Sequence, residues 1–151
     1  MDSELKELYQ QVILDHNKNP RNFRKIENAN HFAEGYNPLC GDKINVYAEV
    51  EDGKIIDISF QGSGCAISKA SASIMSSMMK GLPIEEAERL FNNFLDVITG
   101  RVTEKEDLEG IGKLAVFSGV RDFPSRVKCA SLAWHTLDSA LKKDSKTIST
   151  E

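Results

Sequence analysis

A change in the spacing of apolar residues restricts the fold of this chain more than any other feature. Between Lys43 and Gln61, apolar residues stand at every second position, as they do in strands that bury one face. The two alternating runs flank Asp52-Gly53, a pair that is typical of a tight hairpin turn. We therefore predict an antiparallel hairpin with one buried face. That face comprises Ile44, Val46, Ala48, Val50, Ile56, Ile58 and Phe60.

The length of the hairpin loop decides which residues face each other. A two-residue loop puts Val46 beside Ser59 and separates the apolar faces of the two strands. A three-residue loop with Gly53 in the left-handed conformation puts Val46 beside Ile58 and keeps the apolar faces together. We predict the three-residue loop, because the register of a strand pair follows its buried face.

The same register makes a prediction for the open end of the hairpin. Continued past the last apolar pair, it places Asp42 near Gly62 and Cys40 near Gly64. Cys65 follows directly and stands at the start of a predicted helix. We therefore expect two cysteines and a carboxylate to meet at this end of the sheet.

Outside the hairpin, apolar residues recur with the 3.6-residue period of amphipathic helices. This pattern predicts an α+β fold, in which a small antiparallel β-sheet of about three strands packs against several helices. We assign residues 1–142 to one domain and expect residues 143–151 to form a disordered, polar tail. The predicted helices span residues 3–16, 66–80, 84–98, 110–117 and 124–142, and an edge strand lies near 31–36.

Charge and hydropathy exclude several classes of protein. The 151 residues include 19 Lys and Arg against 23 Asp and Glu, and the net charge of −4 argues against nucleic-acid binding. No apolar run approaches the roughly 18 residues that span a bilayer, so we expect no membrane partner. The first residues, Met1-Asp2-Ser3-Glu4, do not resemble a signal peptide. Three cysteines make no disulfide framework, which favours a reducing, cytoplasmic compartment.

The three cysteines, Cys40, Cys65 and Cys129, lack the close spacing of a zinc finger. The simplest interpretation is that they are small, buried hydrophobic residues. Their surroundings argue against it, because packing cysteines rarely need glycines or carboxylates as neighbours. Cys40 lies in a turn-rich segment two residues before Asp42, and Cys65 follows Gly62-Ser63-Gly64.

Helix starts and nearby cations favour the thiolate form of two of these cysteines. Cys65 and Cys129 are predicted near the N-termini of helices, whose partial positive charge stabilises a thiolate. Arg126 and Lys128 add positive charge beside the second. Three thiolates and the Asp42 carboxylate would supply four ligands to a tetrahedral ion, for which Zn²⁺ is the obvious candidate. Four anionic ligands give zinc a net charge of about −2, which the two cations would offset.

The three histidines give weaker evidence for a site. His135 follows Cys129 by six residues, or about 600° of helical rotation, so the two side chains are predicted to point in different directions. A catalytic pair of these two is therefore not expected. We interpret His135, His16 and His31 as surface or capping residues.

Four dispersed motifs extend over about residues 9–140, nearly the whole predicted domain. They are Tyr9-x-x-Val12-Ile13-x-Asp15-His16-x-x-Asn19-Pro20-Arg21-Asn22, Asn37-Pro38-x-Cys40-Gly41-Asp42, Phe60-x-Gly62-x-Gly64-Cys65-x-Ile67-Ser68-x-Ala70-Ser71-Ala72-Ser73 and Phe123-Pro124-x-Arg126-x-Lys128-Cys129-Ala130. Together they resemble the U-type iron–sulfur cluster assembly family. Scaffold members of the IscU type have a shorter path to the last cysteine, with a histidine just before it. The longer connection here, at 100–120, and Lys128 favour the SufU-like branch.

The resemblance implies a zinc-bound acceptor of sulfur that works with a cysteine desulfurase of the SufS type. It also implies that Cys40, Asp42, Cys65 and Cys129 are the zinc ligands. When the desulfurase docks, one ligand leaves the metal, and the released thiolate attacks the terminal sulfur of the desulfurase persulfide. The sulfur then passes to downstream iron–sulfur assembly proteins. A protein of this kind is a sulfurtransferase-type partner and is not expected to be active alone.

The ligand that accepts sulfur is predicted to be Cys40, because a ligand on a loop can swing out more easily than one on a helix. Cys129 is the alternative acceptor. Lys128 and Arg126 would either offset the charge of the thiolates or steer docking of the desulfurase.

Two alternative functions stay open from the sequence. The first is a scaffold on which a transient [2Fe–2S] cluster is assembled and transferred, held by Cys40, Cys65 and Cys129. The second is a structural zinc-binding domain used for protein contacts. Ligand type alone does not separate zinc from an iron–sulfur cluster, because soft thiolates suit both.

Overall fold

The structure of the protein is a computed structural model, which describes residues 3–38, 41–100, 116–117, 119–120, 123–142 and 148–149. Within these residues, no helix combines the length and the apolar character needed to cross a membrane. The elements in chain order are α1 (Ser3–Lys18), β1 (His31–Asn37), β2 (Asp42–Glu51), β3 (Lys54–Ser63), α2 (Ala66–Met79), α3 (Ile84–Ile98), α4 (Pro124–Leu141) and β4 (Ile148–Ser149).

The sheet has the strand order β3-β2-β1-β4. Strands β1, β2 and β3 are antiparallel neighbours, which confirms the predicted α+β fold with its small antiparallel sheet. The two residues of β4 pair in parallel with β1 at Gly35 and Tyr36. They lie in the segment 143–151 that was expected to be disordered. A strand forms at these two positions because the outer edge of β1 offers backbone groups that seek partners.

The hairpin turn differs from the prediction. Asp52 and Gly53 have φ angles of 52° and 75°, and Glu51 pairs with Lys54, so the loop has two residues and both are left-handed. Such a turn matches the twist of the flanking strands. The three-residue loop is therefore wrong. The register then shifts by one residue at a bulge next to Val50.

The bulge realigns the apolar faces that a two-residue turn would otherwise separate. Beyond it, Val46 pairs with Phe60, two positions from the predicted partner. A shift of two leaves the side chains beyond the bulge on their own faces of the sheet. Between the turn and the bulge the faces are exchanged, so the prediction that Ile56 is buried is wrong: it is 39% exposed and Ile55 is buried. The bulge also moves the open end of the hairpin, so that Asp42 lies against Gly64 and not against the predicted Gly62.

Helices α2 and α4 pack on one face of the sheet and against each other. Their bounds agree with the predicted helices to within one residue, and α3 agrees at both ends. Trp134 of α4 stacks on Phe94 of α3 with ring centroids 4.2 Å apart. Its indole N–H donates to Ser71 Oγ of α2 at 2.9 Å. This buried contact locks α4 to α2, and thereby positions Cys65 and Cys129 relative to each other.

The connection before α4 is described only in part. Residues 116–117 and 119–120 adopt short 3₁₀ turns, and Phe117 packs edge-on against Phe94 at a centroid distance of 5.7 Å. Most of the helix predicted at 110–117 lies outside the described residues, so that prediction stays untested there.

Candidate metal centre

Three of the four predicted ligands meet at one end of the sheet. Asp42 begins β2, Cys65 stands between β3 and α2, and Cys129 lies in α4. One ligand atom from each lies within 4.8 Å of the others. Asp42 is fully buried, Cys129 is 3% exposed and Cys65 is half-buried. The fourth predicted ligand, Cys40, lies outside the described residues.

The carboxylate of Asp42 is held by three hydrogen bonds, the longest of them from Cys65 Sγ at 3.9 Å. Its Oδ1 accepts the backbone N–H of Cys65 at 2.7 Å, and its Oδ2 accepts from Asn37 Nδ2 at 3.2 Å. In the part of the chain that the structure describes, Asp42 forms no salt bridge. A carboxylate buried without a neighbouring cation is costly. The site is therefore electrostatically suited to a metal ion.

The donor set fits zinc. Cys65 Sγ lies 3.9 Å from Asp42 Oδ2. Zn–S and Zn–O bonds in a tetrahedron separate the ligand atoms by about 3.5–3.8 Å, so this pair needs only a small contraction. Two thiolates and a carboxylate leave one position of a tetrahedron, and Cys40 stands two residues before Asp42 in the sequence.

Gly64 allows the carboxylate to approach the backbone. A Cβ atom built at this position would lie 2.5 Å from Asp42 Oδ1, closer than real Cβ contacts come. The neighbouring Gly62 has a φ of 145°, and a Cβ there would meet the backbone of Lys43. Glycine at both positions therefore lets neighbouring atoms approach the backbone closely.

We predict that Gly64→Ala weakens zinc binding about 10–100-fold, as for other residues that orient a ligand. The added methyl pushes Asp42 Oδ1 away from the backbone N–H of Cys65. Chelator competition at fixed pH measures the zinc affinity. Gly119→Ala is the matched control, because a Cβ at Gly119 has no neighbour within 4 Å. Equal affinities for the two variants would show that the carboxylate position does not matter.

Cys65 caps the N-terminus of α2. Its φ and ψ angles are −71° and 167°, and its Sγ accepts the backbone N–H of Ser68 at 3.5 Å. The predicted location at a helix start is thus confirmed. Cys129 is the sixth residue of α4. The helix charge therefore acts on Cys65 and not on Cys129, because the effect falls off within the first turn.

Asn37 is a site residue that the sequence did not single out. It is the last residue of β1, is fully buried and pairs with Asp42 across the strands. Its Nδ2 lies 3.2 Å from Asp42 Oδ2 and 3.5 Å from Cys129 Sγ. The one signal in the sequence is its place before Pro38 in the motif that contains Cys40 and Asp42.

The two predicted cations lie near the start of α4. Arg126 is exposed, one helical turn before Cys129, and its guanidinium lies 4.5 Å from the ring centroid of Phe123. Phe123 is itself 47% exposed. Lys128 is half-buried and adjacent to Cys129 in sequence. The stacked guanidinium is a preorganised, positively charged feature beside the metal centre.

The histidines differ from the prediction. His16 is buried, with Nδ1 2.7 Å from Ser73 Oγ, and buried His31 donates from Nδ1 to the carbonyl of Ala140 at 2.9 Å. The interpretation of these two as surface or capping residues is wrong, because both tie separate elements together. His135 packs edge-on against Phe91, and burial lowers its pKa. No histidine of the described residues joins the group of Asp42, Cys65 and Cys129.

An α+β fold with two cysteines and a buried carboxylate at one sheet end defines a candidate metal-binding protein. The chain matches the model of the NifU-like N-terminal domain family over residues 8–144 and belongs to that family. The resemblance to the U-type iron–sulfur assembly proteins is thereby confirmed.

Individual relatives resemble the chain over nearly its whole length. It is 38% identical to the zinc-dependent sulfurtransferase SufU of Bacillus subtilis, over 95% of each chain. It is 39% identical to the iron–sulfur cluster assembly scaffold protein IscU of Thermotoga maritima, over 93% of this chain and 97% of the relative. Among solved structures, an iron–sulfur scaffold protein for the SUF system from Fervidobacterium islandicum (FiSufU) has a TM-score of 0.80 and 36% identity. The match covers 93% of this chain and 99% of that chain.

Proposed function

We propose that the protein is a zinc-bound acceptor of persulfide sulfur in the cytoplasm, which works only together with a cysteine desulfurase of the SufS type. The observation that carries this proposal is the convergence of Asp42, Cys65 and Cys129, with ligand atoms within 4.8 Å. The name of the Bacillus subtilis relative, a zinc-dependent sulfurtransferase, supports the same function. The accepted sulfur then serves downstream iron–sulfur assembly proteins.

The proposed ligands are Cys40, Asp42, Cys65 and Cys129. Zinc, when bound, keeps ligand thiols deprotonated and limits their side reactions. Asp42 and Cys129 are buried, so neither is accessible to a partner without a rearrangement of the fold. We assign the role of sulfur acceptor to Cys40, which stands beside Gly41, a residue with a φ of 71°. Cys129 is the alternative acceptor.

The proposed transfer is a thiol–persulfide exchange. The thiolate of Cys40 attacks the terminal sulfur of the desulfurase persulfide and forms a new S–S bond. The S–S bond of the desulfurase persulfide breaks, and the desulfurase cysteine leaves as a thiolate. One sulfur atom moves while the total oxidation level is unchanged. The exchange therefore needs no external oxidant or reductant.

Arg126 and Lys128 are proposed to assist this exchange through their charge. Arg126 is exposed one turn before Cys129, and its stacking on Phe123 holds the guanidinium in place. It is therefore suited to steering an acidic surface of the desulfurase. Lys128, next to Cys129 in sequence, would offset part of the negative charge of the thiolates.

A second candidate function is a scaffold that carries a transient [2Fe–2S] cluster on Cys40, Cys65 and Cys129. The names of the Thermotoga maritima and Fervidobacterium islandicum relatives favour it. The visible absorption of the purified protein separates the two functions. A colourless protein with about one zinc per chain supports the sulfur acceptor, whereas a brown protein supports the scaffold.

The test of the proposed function is the turnover of a SufS-type desulfurase with and without the zinc-loaded protein. We expect strong stimulation, and we expect Cys40→Ala to reduce turnover to that of the desulfurase alone. Asn45→Ala, on a strand of the same sheet, is the control and should stimulate like the unaltered protein. Absence of stimulation would contradict the proposal. Undiminished stimulation by Cys40→Ala would reject Cys40 as acceptor.

A further inference from the structure

We propose that Asn37 is a positioning residue of the metal centre, whose side-chain amide holds Asp42 and Cys129 at ligand distance from each other. This inference rests on the metal binding in the proposed function. It adds a residue that contacts two ligands and is not itself a ligand. Asn37 lies at the end of β1, where it meets both β2 and α4.

The amide group of Asn37 is matched to its two neighbours. Its nitrogen lies 3.2 Å from Asp42 Oδ2 and 3.5 Å from Cys129 Sγ, the second within the longer range of hydrogen bonds to sulfur. A side-chain amide has two N–H donors at a fixed angle. One can therefore point to the carboxylate and the other to the sulfur. Both acceptors carry negative charge when they bind a metal, which strengthens such bonds.

The carbonyl oxygen of the Asn37 side chain shows that the ligands determine the orientation of the amide. Asn37 is fully buried, and its Oδ1 has no hydrogen-bond partner among the described residues. Most buried polar atoms in proteins do have a partner. Rotating the amide by half a turn would aim Oδ1 at Asp42 Oδ2, which can only accept, and at Cys129 Sγ, which can only accept once it is a thiolate. The unpaired carbonyl is thus the consequence of directing both N–H groups toward the ligands.

Asn37 connects two ligands that lie on separate elements of the fold. Asp42 also accepts hydrogen bonds from the backbone N–H and the Sγ of Cys65, which join β2 to the start of α2. Asn37 adds the link to α4, the helix that carries Cys129. The hydrogen bonds from Cys65 to Asp42, together with those from Asn37 to Asp42 and Cys129, thus connect all three elements that supply described ligands. If Cys40 leaves the metal to accept sulfur, Asn37 keeps two of the other ligands in place.

The chemistry of Asn37 is specific to an amide. Aspartate at this position would place a second carboxylate beside Asp42, and leucine would offer no donor. Replacing a residue that hydrogen-bonds to a metal ligand, without binding the metal itself, typically lowers metal affinity by about 10–100-fold. We therefore expect a loss of metal affinity in this range when the amide is removed.

The test compares Asn37→Leu with the control Asn45→Leu. Leucine has nearly the shape of asparagine but has no hydrogen-bonding group. Asn45 lies on β2, has the same residue type, and also has a buried Oδ1 without a partner among the described residues. Zinc affinity is measured by chelator competition, without any desulfurase. We expect a loss of about 10–100-fold for Asn37→Leu and no change for Asn45→Leu.

A second measurement separates positioning from a merely structural role. In the cobalt(II)-substituted protein, the thiolate-to-metal absorption band reports on hydrogen bonding to the sulfur ligands. We expect this band to shift in Asn37→Leu and not in Asn45→Leu, while the melting temperature of the metal-free protein stays close to that of the unaltered chain. Asn37→Ser, which is too short to reach both ligands, should reproduce the shift if Asn37→Leu does not fold.

Three outcomes would overturn the proposal. Unchanged zinc affinity together with an unchanged cobalt spectrum would show that Asn37 has no positioning role. If the loss of zinc affinity is accompanied by an equal destabilisation of the metal-free protein, Asn37 stabilises the fold and does not position the ligands. If the unaltered protein binds neither zinc nor cobalt, the proposed function fails and this inference fails with it.

Discussion

Chelation of zinc is expected to lower the thermal unfolding midpoint of the protein by about 8–16 °C. A metal whose free concentration is about a thousand times its dissociation constant raises the free energy of unfolding by roughly 4 kcal/mol. For a chain of this size, each kcal/mol shifts the unfolding midpoint by about 2–4 °C. The metal stabilises the folded state specifically, because Asp42, Cys65 and Cys129 come together only when β2, the start of α2 and α4 are packed.

The protein should stay folded without zinc, in contrast to a zinc finger. Trp134, Phe94 and Phe60 belong to a continuous buried core that does not depend on the metal. Differential scanning calorimetry with and without excess chelator measures both midpoints. The matched control is Cys129→Ala, in which chelator should have little effect. An unchanged midpoint for the unaltered protein would contradict a metal that bridges the three elements.

Replacing Asp42 by asparagine is expected to have opposite effects on the two forms of the protein. Metal-free Asp42→Asn should be more stable than the unaltered chain by about 1–3 kcal/mol, because it no longer buries a carboxylate that has no salt bridge among the described residues. The unpaired Oδ1 of Asn37 can then accept from the new amide after a half-turn of its own amide. Zinc affinity should fall at least about 100-fold, which exceeds the loss expected when a residue that only orients a ligand is replaced.

Urea unfolding in the presence of chelator measures the first effect, and chelator competition measures the second. Asp57→Asn is the control, because Asp57 pairs with Arg24 at 2.7 Å and the hydrogen bond from Arg24 lowers its pKa. This pairing stabilises the fold above the ordinary pKa of an aspartate and is lost as the pH falls below it. Asp57→Asn should therefore destabilise slightly at neutral pH and leave zinc affinity unchanged. Destabilisation of metal-free Asp42→Asn would contradict the argument.

The sheet and the principal helices could be predicted because their apolar periodicities are local. The hairpin register could not be predicted, because Asp52-Gly53 favours a two-residue turn whereas the alignment of the buried faces favours a longer loop. A bulge next to Val50 reconciles them, since it permits a two-residue turn and still aligns Val46 with Phe60. A bulge inserts one residue with little local signature. Its presence depends on packing between strands and helices, which the sequence pattern does not record.

The predicted convergence of Asp42 and Cys65 survived this error because the register moved by an even number of residues. Asp42 stayed on its face of the sheet and met Gly64 in place of Gly62. The role of Asn37 was not predictable in the same way. Its contact with Cys129 spans 92 positions along the chain and depends on how α4 packs on β1. No local pattern carries that information.

The buried histidines were misjudged for a similar reason. His16 reaches Ser73 across 57 residues, and His31 reaches Ala140 across 109. Single histidines in polar segments resemble surface residues in sequence. Only the packing of α1 on α2 and of β1 on α4 buries them.

The central claim is that a cysteine of the metal centre accepts sulfur from a desulfurase persulfide. Its most direct test is intact-protein mass spectrometry of the zinc-loaded chain after a single turnover with a SufS-type desulfurase and cysteine. The account predicts a mass increase of one sulfur atom that a reductant reverses, located at Cys40 by peptide mapping and absent from Cys40→Ala. A desulfurase that completes its turnover while this chain gains no sulfur would contradict the account.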